Sequence, residues 1–426
     1  MTMRAIPARL RGAAAALAML AMLAAPADAQ DGPRGGATRG AATRAGMAEG
    51  AATAERLMSA QGVLAQRLLD SLAGRNATAN IVVSPASLAG ALAAIELGAD
   101  EPLRRSLHQT LGFKNPGAAS IDFDALRKAT GGTEGGPLSS ANAVVFDRTT
   151  APFAAALEAL DRAGIRATTE DFASPATVAA INAWVSDRTR GKIPTILDEL
   201  PRDAGVVARN ALYFKDRWKQ PFAAAETRAA PFHLVGGRSV EVPQMRAADR
   251  RFRFRQDSRF VAVELAYASA GYSLVVVTTR RDPAAAKDFT RLGGWLAGEG
   301  FAEIPGEVAL PRFEVGADLD VMPALKAMGL QPQSRLPGFS RSPLHLARAQ
   351  QRVELAVDEE GTEAAAATAV IATRSADPEF VRLTADKPFV FALRDQASGL
   401  IVLCGYIGNP QKPGAQASEA APGRPR

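Results

Sequence analysis

Asp358-Glu-Glu-Gly-Thr-Glu-Ala-Ala-Ala-Ala-Thr-Ala-Val-Ile-Ala-Thr-Arg374-Ser375 is the stretch whose reading decides the fold of this chain. It opens acidic, passes through Gly361, and continues in small residues without a proline as far as Asp377-Pro378. Proline has no N–H and restricts the residue before it, so regular structure stops there. Four consecutive alanines favour a helix, and Thr362 could cap one running to Ala372. Read at period two, the same residues form a strand. One face carries Thr362, Ala364, Ala366, Thr368, Val370 and Ala372, and the other Glu363, Ala365, Ala367, Ala369, Ile371 and Thr373. The first face is entirely small or β-branched and could slide between existing strands. From Gly361 to Arg374 such a strand would span roughly 43 Å. Helix and inserted strand both stay open on these residues alone.

The surroundings narrow the choice. Of the 426 residues, Met1 to Ala29 place arginines at 4, 9 and 11 before an apolar run from Ala13 to Ala25 and the small-x-small triplet Ala27-Asp28-Ala29. That order predicts a secretory signal peptide over 1–29. Residues 30–49 are Gly/Ala/Arg-rich and 411–426 Pro/Ala/Gly-rich, which predicts flexible tails around a single domain over 50–410. The net charge of +6 drops to +4 without the first 29 residues, which hold three arginines against one aspartate. The remaining charge is dispersed among acidic residues and free of aromatic clusters, which argues against nucleic-acid binding. No run of twenty apolar residues is present, so a membrane span is not expected in the mature chain. Cys404 is the single cysteine and sits in the apolar run Leu400-Ile-Val-Leu-Cys, as an inert core residue would, and no intramolecular disulfide can form. Heavy Ala and Arg usage together with the leader suggests a secreted or periplasmic bacterial protein.

Periodicity predicts helices early and strands late. Helices are expected near 50–74, 88–97 (capped by Ser87), 102–112, 121–129, 151–164, 174–189 and 318–328. Strands are expected at 80–83, 141–146 and 206–214, and then repeatedly from 230 to 407. This succession is α+β with mostly antiparallel sheets.

The segments also carry a resemblance. Asn80-Ile-Val-Val-Ser-Pro-Ala-Ser-Leu, Ile181-Asn-Ala-Trp-Val, Thr189-Arg-Gly-Lys-Ile193 and Asn210-Ala-Leu-Tyr-Phe-Lys-Asp-Arg-Trp218 stand in this order. They are followed by Val242-Pro-Gln-Met245, Leu310-Pro-Arg-Phe313, the stretch from Asp358, and the ending Asp386-Lys-Pro-Phe-Val-Phe…Gly405-Tyr-Ile-Gly-Asn-Pro410. Together, from about 52 to 410, they resemble the serpin family. The resemblance implies a serpin fold of three sheets and about nine helices, with an exposed reactive-centre loop from Gly361 to about Pro378. It implies an inhibitor that is a suicide substrate. A serine protease (or a cysteine protease) attacks the loop, forms an acyl-enzyme, and is trapped when the loop enters the large sheet as a new strand.

Residue by residue, the resemblance assigns a hinge to Glu359, Glu360, Gly361, Thr362, Glu363, Ala364, Ala365, Ala366 and Ala367. The small side chains of that hinge are of the inhibitory kind; a binding or chaperone-like serpin is the alternative. A shutter under the opening sheet falls on Ser84, Ser87, Asn182 and Gln351, and the breach at its top on Trp218. The family usually has histidine where Gln351 stands, bonded to the asparagine matched by Asn182 and to Ser84; glutamine can make those bonds without titrating. The bait is Ser375 by counting forward from Gly361 and Arg374 by counting back from Pro388. A guanidinium binds a carboxylate in a protease pocket bidentately, which favours cleavage between Arg374 and Ser375 by trypsin-like enzymes. Subtilisin-like or elastase-like targets follow if Ser375 is the bait.

Other chemistry finds little support. His108, His233 and His345 have no partner at metal-ligand spacing, and no nucleophile elbow or phosphate-binding loop occurs. No catalytic residue, metal or cofactor is expected, and the protein is read as a monomer rather than an enzyme. Arg104, Arg105, Lys114, Arg127 and Lys128 read as a solvated face rather than a polyanion site. Asn76-Ala-Thr78 is a glycosylation sequon.

Overall fold

The computed structural model describes residues 60–73, 78–112, 136–200, 205–269, 271–288, 291–333, 335–362 and 380–411. The expected leader, both tails, the helix over 121–129, the sequon asparagine and the stretch from Glu363 through Arg374 and Ser375 lie outside them. Among the described residues there are seven α-helices: α1 (60–73), α2 (Pro85–Glu96), α3 (Glu101–Thr110), α4 (Ala154–Arg162), α5 (Pro175–Arg188), α6 (Gly293–Leu296) and α7 (Met322–Ala327). None is long and apolar enough to cross a membrane.

Three sheets accompany them. The largest joins β1 (Asn80–Val83), β16 (Ile401–Ile407), β15 (Phe389–Asp395), β9 (Tyr272–Thr279), β8 (Phe260–Ala266), β7 (Ser239–Gln256), β10 (Ala302–Pro311) and β14 (Val381–Thr384), with β6 (Arg228–His233) paired to β7. The second runs in the order β11 (Phe313–Asp320), β12 (Arg348–Val357), β4 (Val206–Phe214), β2 (Leu138–Asp147) and β3 (Arg166–Glu170). The third pairs β13 (Gly361–Thr362) with β5 (Asp216–Arg217). Most pairings are antiparallel; β10·β14, β2·β3 and β4·β12 are parallel. The α+β class with three mostly antiparallel sheets therefore holds.

Burial explains the element choices that matter for the site. Every residue of β4 is buried. Its inner side chains Val206, Ala208, Leu212 and Phe214 join the main core with α2 and the largest sheet. Its outer ones, Val207, Ala211 and Tyr213, join a second cluster beneath α5. A strand covered on both faces loses the apolar–polar alternation and reads as a continuous hydrophobic run. At Gly405 of β16 a Cβ would lie 2.4 Å from the Ile81 carbonyl oxygen, so only glycine permits that strand-to-strand approach.

Two expectations are corrected. The helix near 88–97 begins at Pro85, and its cap is Ser84, whose hydroxyl accepts from the Ser87 N–H. Pro85 takes the first helical position, where its missing N–H costs nothing. The helix expected over 318–328 starts only at Met322, because Phe313–Asp320 is a strand with Phe313, Val315, Ala317 and Leu319 turned inward. That alternation at period two outweighs the helical pattern of the residues after it.

Candidate functional site

The five-stranded sheet contains a seam. β4 and β12 lie side by side and run parallel, from Arg348 opposite Val207 to Glu354 opposite Tyr213. At the end of β12 the chain turns back over Asp358–Gly361, where the Asp358 N–H donates to the Gly361 carbonyl and the Asp358 carboxylate accepts from the N–H groups of Glu360 and Gly361. It then pairs antiparallel with β5, which continues the line of β4: Gly361 opposite Arg217 and Thr362 opposite Asp216. The hinge thus leaves the sheet directly above the seam.

On the inner face, the middle of the seam is closed by neutral side chains. Gln351 of β12 donates to the Ser84 carbonyl (3.1 Å) and to Asn210 Oδ1 (3.0 Å), and accepts from the Ser84 N–H (2.6 Å). Asn210 of β4 donates to Asn142 Oδ1 of β2 (2.6 Å). The Ser84 hydroxyl donates to the Val402 carbonyl at 2.6 Å. Five elements meet here in a fully hydrogen-bonded network with Gln351 only 2% exposed, the kind of burial that makes each bond expensive to lose.

At the top, the hinge is held by aromatic rings and charge. The Trp218 indole donates to the Asp358 carbonyl (2.9 Å), and its backbone N–H to the Glu360 carbonyl (2.8 Å). The ring stacks on Tyr267 at 4.4 Å, and the Tyr267 hydroxyl meets Thr362 Oγ1 at 2.8 Å. Both Glu359 oxygens accept from Arg312 Nε (2.8 and 2.7 Å), and one also accepts from the Thr227 hydroxyl. Burial alone would raise the Glu359 carboxyl, but the bonds from Arg312 and Thr227 outweigh it and hold it below the usual carboxylate value. The same pair raises the Arg312 guanidinium. Gly361 is required by proximity: a Cβ there would lie 2.2 Å from the Asp216 carbonyl oxygen and 2.6 Å from Arg217 Cα.

The structure brings Ser84 and Gln351 together as expected, with Ser87 beneath them lending its N–H to Ser84. It does not bring Asn182 there. Asn182 lies on α5, where its amide accepts from the Ile196 and Leu197 N–H groups and donates to the Leu197 carbonyl. The asparagine at Gln351 is Asn210, because the parallel register sets these two residues opposite each other. Of the residues expected to form a hinge, Glu359, Glu360, Gly361 and Thr362 lie at this turn beside Trp218; Glu363 to Ala367 are among the residues not described. Sequence reasoning also missed Arg312, Tyr267 and the buried Arg209. The last had a signal, a cation inside the apolar run Val206–Phe214. The histidines are dispersed: His108 bonds Glu96 at 2.7 Å and His233 faces Ser239. Burial raises the Cys404 thiol far above its ordinary value, which leaves it inert.

Comparison with known proteins bears directly on this arrangement. The family model described as serpin (serine protease inhibitor) matches residues 59–410. A serine protease inhibitor of Cyanea capillata is 29% identical over 367 residues, covering 82% of this chain and 97% of its own. Antithrombin-III of Mus musculus is 29% identical over 374 residues, covering 81% and 79% respectively. The native-state structure of a thermophilic serpin, tengpin, superposes with a TM-score of 0.74 at 21% identity, over 83% of this chain and 94% of that one. A family match that runs over residues 59–410, well over half of the chain, places it in the serpin family.

Proposed function

We propose that this protein inhibits serine-type endopeptidases as a suicide substrate, offering the bond between Arg374 and Ser375 and trapping the acyl-enzyme as its loop enters the seam. The observation that carries this reading is the register at the hinge. Gly361 and Thr362 already pair antiparallel with the continuation of β4. Carried forward one residue at a time, that register sets Ala364 opposite Phe214, Thr368 opposite Asn210 and Ala372 opposite Val206. Directly opposed residues share a face. Ala364, Ala366, Thr368, Val370 and Ala372 would therefore point into the main core, and Ala365, Ala367, Ala369 and Ile371 under α5. Glu363 would fall opposite Lys215, just beyond β4, so no charged side chain would meet either layer, and Val370 and Ile371 would be the largest that do. An inserted strand would be antiparallel to both β4 and β12 and would replace their parallel contact, the slightly weaker kind of pairing.

Arg374 suits trypsin-like targets; a subtilisin-like or elastase-like preference would indicate Ser375 as the bait. Incubation with a small panel of serine proteases, read on a denaturing gel, tests the mechanism. An SDS-resistant adduct with a trypsin-like enzyme, and a released C-terminal peptide beginning at Ser375 by mass spectrometry, are expected. Cleavage without an adduct would replace inhibition by a binding or chaperone-like role. Export through the leader at 1–29, to the periplasm or the medium, belongs to the same reading, and a mature N-terminus at Gln30 is its signature.

A further inference from the structure

The outer face of the seam carries its own closure, made of cations. Arg209 neighbours Asn210 on β4, so its side chain points the other way, and it is 1% exposed. Its Nη1 donates to Gln350 Oε1 across the seam and to the Ile196 carbonyl at 3.3 Å. Burial, helped by Arg348, lowers the guanidinium to about 9 while Asp318 and Asp320 pull it upward, so it remains charged at neutral pH. Its Nε and Nη2 have no hydrogen-bond partner among the described residues. A buried cation with idle donors costs stability, and an apolar side chain would suit the strand better.

Arg352 stands two residues beyond Gln350 on the same face of β12. Its Nη1 donates to the Thr195 carbonyl at 2.6 Å, and its Nη2 to Glu354 at 3.1 Å. Two adjacent carbonyls of the connector 190–200, which leads from α5 towards β4, are thus held by arginines from opposite sides of the seam. The fully buried contacts of the connector among the described residues lie on the β4 side, with only the partly buried Ala347, just before β12, packed against the same cluster. Ile193, Ile196, Leu197 and Leu200 pack in the cluster that contains Val207 and Ala211 of β4, and Asn182 ties residues 196–197 to α5. The bonds Arg209–Gln350 and Arg352–Thr195 therefore cross the seam. A strand entering between β4 and β12 moves them apart by about 4.8 Å, beyond the reach of a hydrogen bond at its present geometry.

We propose that Arg209 and Arg352 close the outer face of the seam by strapping the 190–200 connector across it, and that as positioning residues they set the rate at which a strand enters the sheet. The proposal rests on the insertion reading above, and the experiment separates the two. A synthetic peptide with the sequence of residues 362–373 is incubated with the intact protein, and its incorporation is followed over time by native gel. The wild type is compared with Arg352→Gln, Arg352→Lys and Arg209→Met. Arg352→Gln should incorporate the peptide roughly tenfold faster, the scale of losing a charged hydrogen bond. Arg352→Lys, which keeps a donor for Thr195, should stay near the wild-type rate. Arg209→Met should be faster with its thermal stability undiminished, a combination that a purely structural arginine would not give. If Arg209→Met fails to fold, the two Arg352 variants decide. Equal rates in the folded variants overturn the strap while leaving insertion standing; a wild type that takes up no peptide overturns both.

Discussion

The middle and the top of the seam are closed by different chemistry. In the middle, Gln351, Asn210, Asn142 and Ser84 form a neutral network sunk between α2 and the sheet. At the top, Glu359 and Arg312 form a charged clamp whose arginine is half exposed, beside the stacked Trp218 and Tyr267. Neutral bonds in the core hold their strength across pH and salt, whereas a clamp at the surface can be loosened from outside. If the seam opens to a strand as proposed, the end beside the Asp358–Gly361 turn should yield first, and the middle should resist until the strand arrives.

The largest effect should come from the middle. Gln351→Leu strands the Ser84 N–H and Asn210 Oδ1 together and leaves the Ser84 carbonyl with the Leu88 N–H alone, and should cost about 3–5 kcal/mol. Denaturant unfolding of the intact protein measures it, and a loss no greater than that of a surface substitution would abolish the distinction between middle and top. Gly361→Ala ranks next. Its Cβ meets only backbone atoms, the Asp216 carbonyl oxygen at 2.2 Å and the Trp218 nitrogen at 2.9 Å, so no side chain can swing aside. The expected cost is about 2–3 kcal/mol, borne by the hinge pairing alone. Trp218 fluorescence should shift to the red as the hinge lifts, with the middle of the sheet unchanged by hydrogen exchange.

How much of this was legible in the sequence depends on whether the deciding signal was local. The turn over Asp358–Gly361 is legible because its residues act on their own neighbours, as is the start of α2, where only the choice between Ser84 and Ser87 differs. Asn182 and Asn210 could not be told apart in this way. Both sit in similar runs, Ile181-Asn-Ala-Trp-Val and Asn210-Ala-Leu-Tyr-Phe, and only the register of β4 against β12 puts one of them at Gln351. Arg312 stands in Leu310-Pro-Arg-Phe313 with no local sign of its role, since its partner Glu359 lies far along the chain. β3, Arg166–Glu170, has no apolar alternation at all and exists by pairing with β2. Local chemistry marks the Asp358–Thr362 turn, while the groups that bind it are set by contacts distant in sequence.

The clamp at the top should respond more gently. Glu359→Gln keeps the shape but loses the charge-assisted bonds, at a cost of about 1–2 kcal/mol, reduced because Arg312 is half exposed. The Glu359 carboxyl is held below its ordinary value of 4.5 in the folded protein. Its contribution is therefore present above that value and fades as pH falls through the lowered one. Unfolding midpoints of the wild type and Glu359→Gln should differ at pH 7 and converge in acid, once the pH falls below the lowered value. A gap that persisted in acid would mean that the clamp is not electrostatic.

The smallest effect is the one that separates the two regions most cleanly. No group in the inner network titrates between pH 5 and 8, so the middle of the seam should open at a rate independent of pH over that range. Gln351→His would change this. Gln351 uses two donors and one acceptor, whereas a neutral imidazole offers one of each, so one of the bonds to the Ser84 carbonyl and Asn210 is lost at any pH. Protonation then removes the acceptor that serves the Ser84 N–H and sets an N–H against it. The charged form is disfavoured in the closed sheet, so closure weakens as pH falls through the imidazole range near 6.5. Peptide incorporation by Gln351→His should quicken about threefold from pH 8 to pH 5, less than 1 kcal/mol, while the wild type stays flat. A wild type as steep as the variant would place the pH-sensitive step outside the inner network, and a variant as flat as the wild type would mean that Gln351 does not bear on opening.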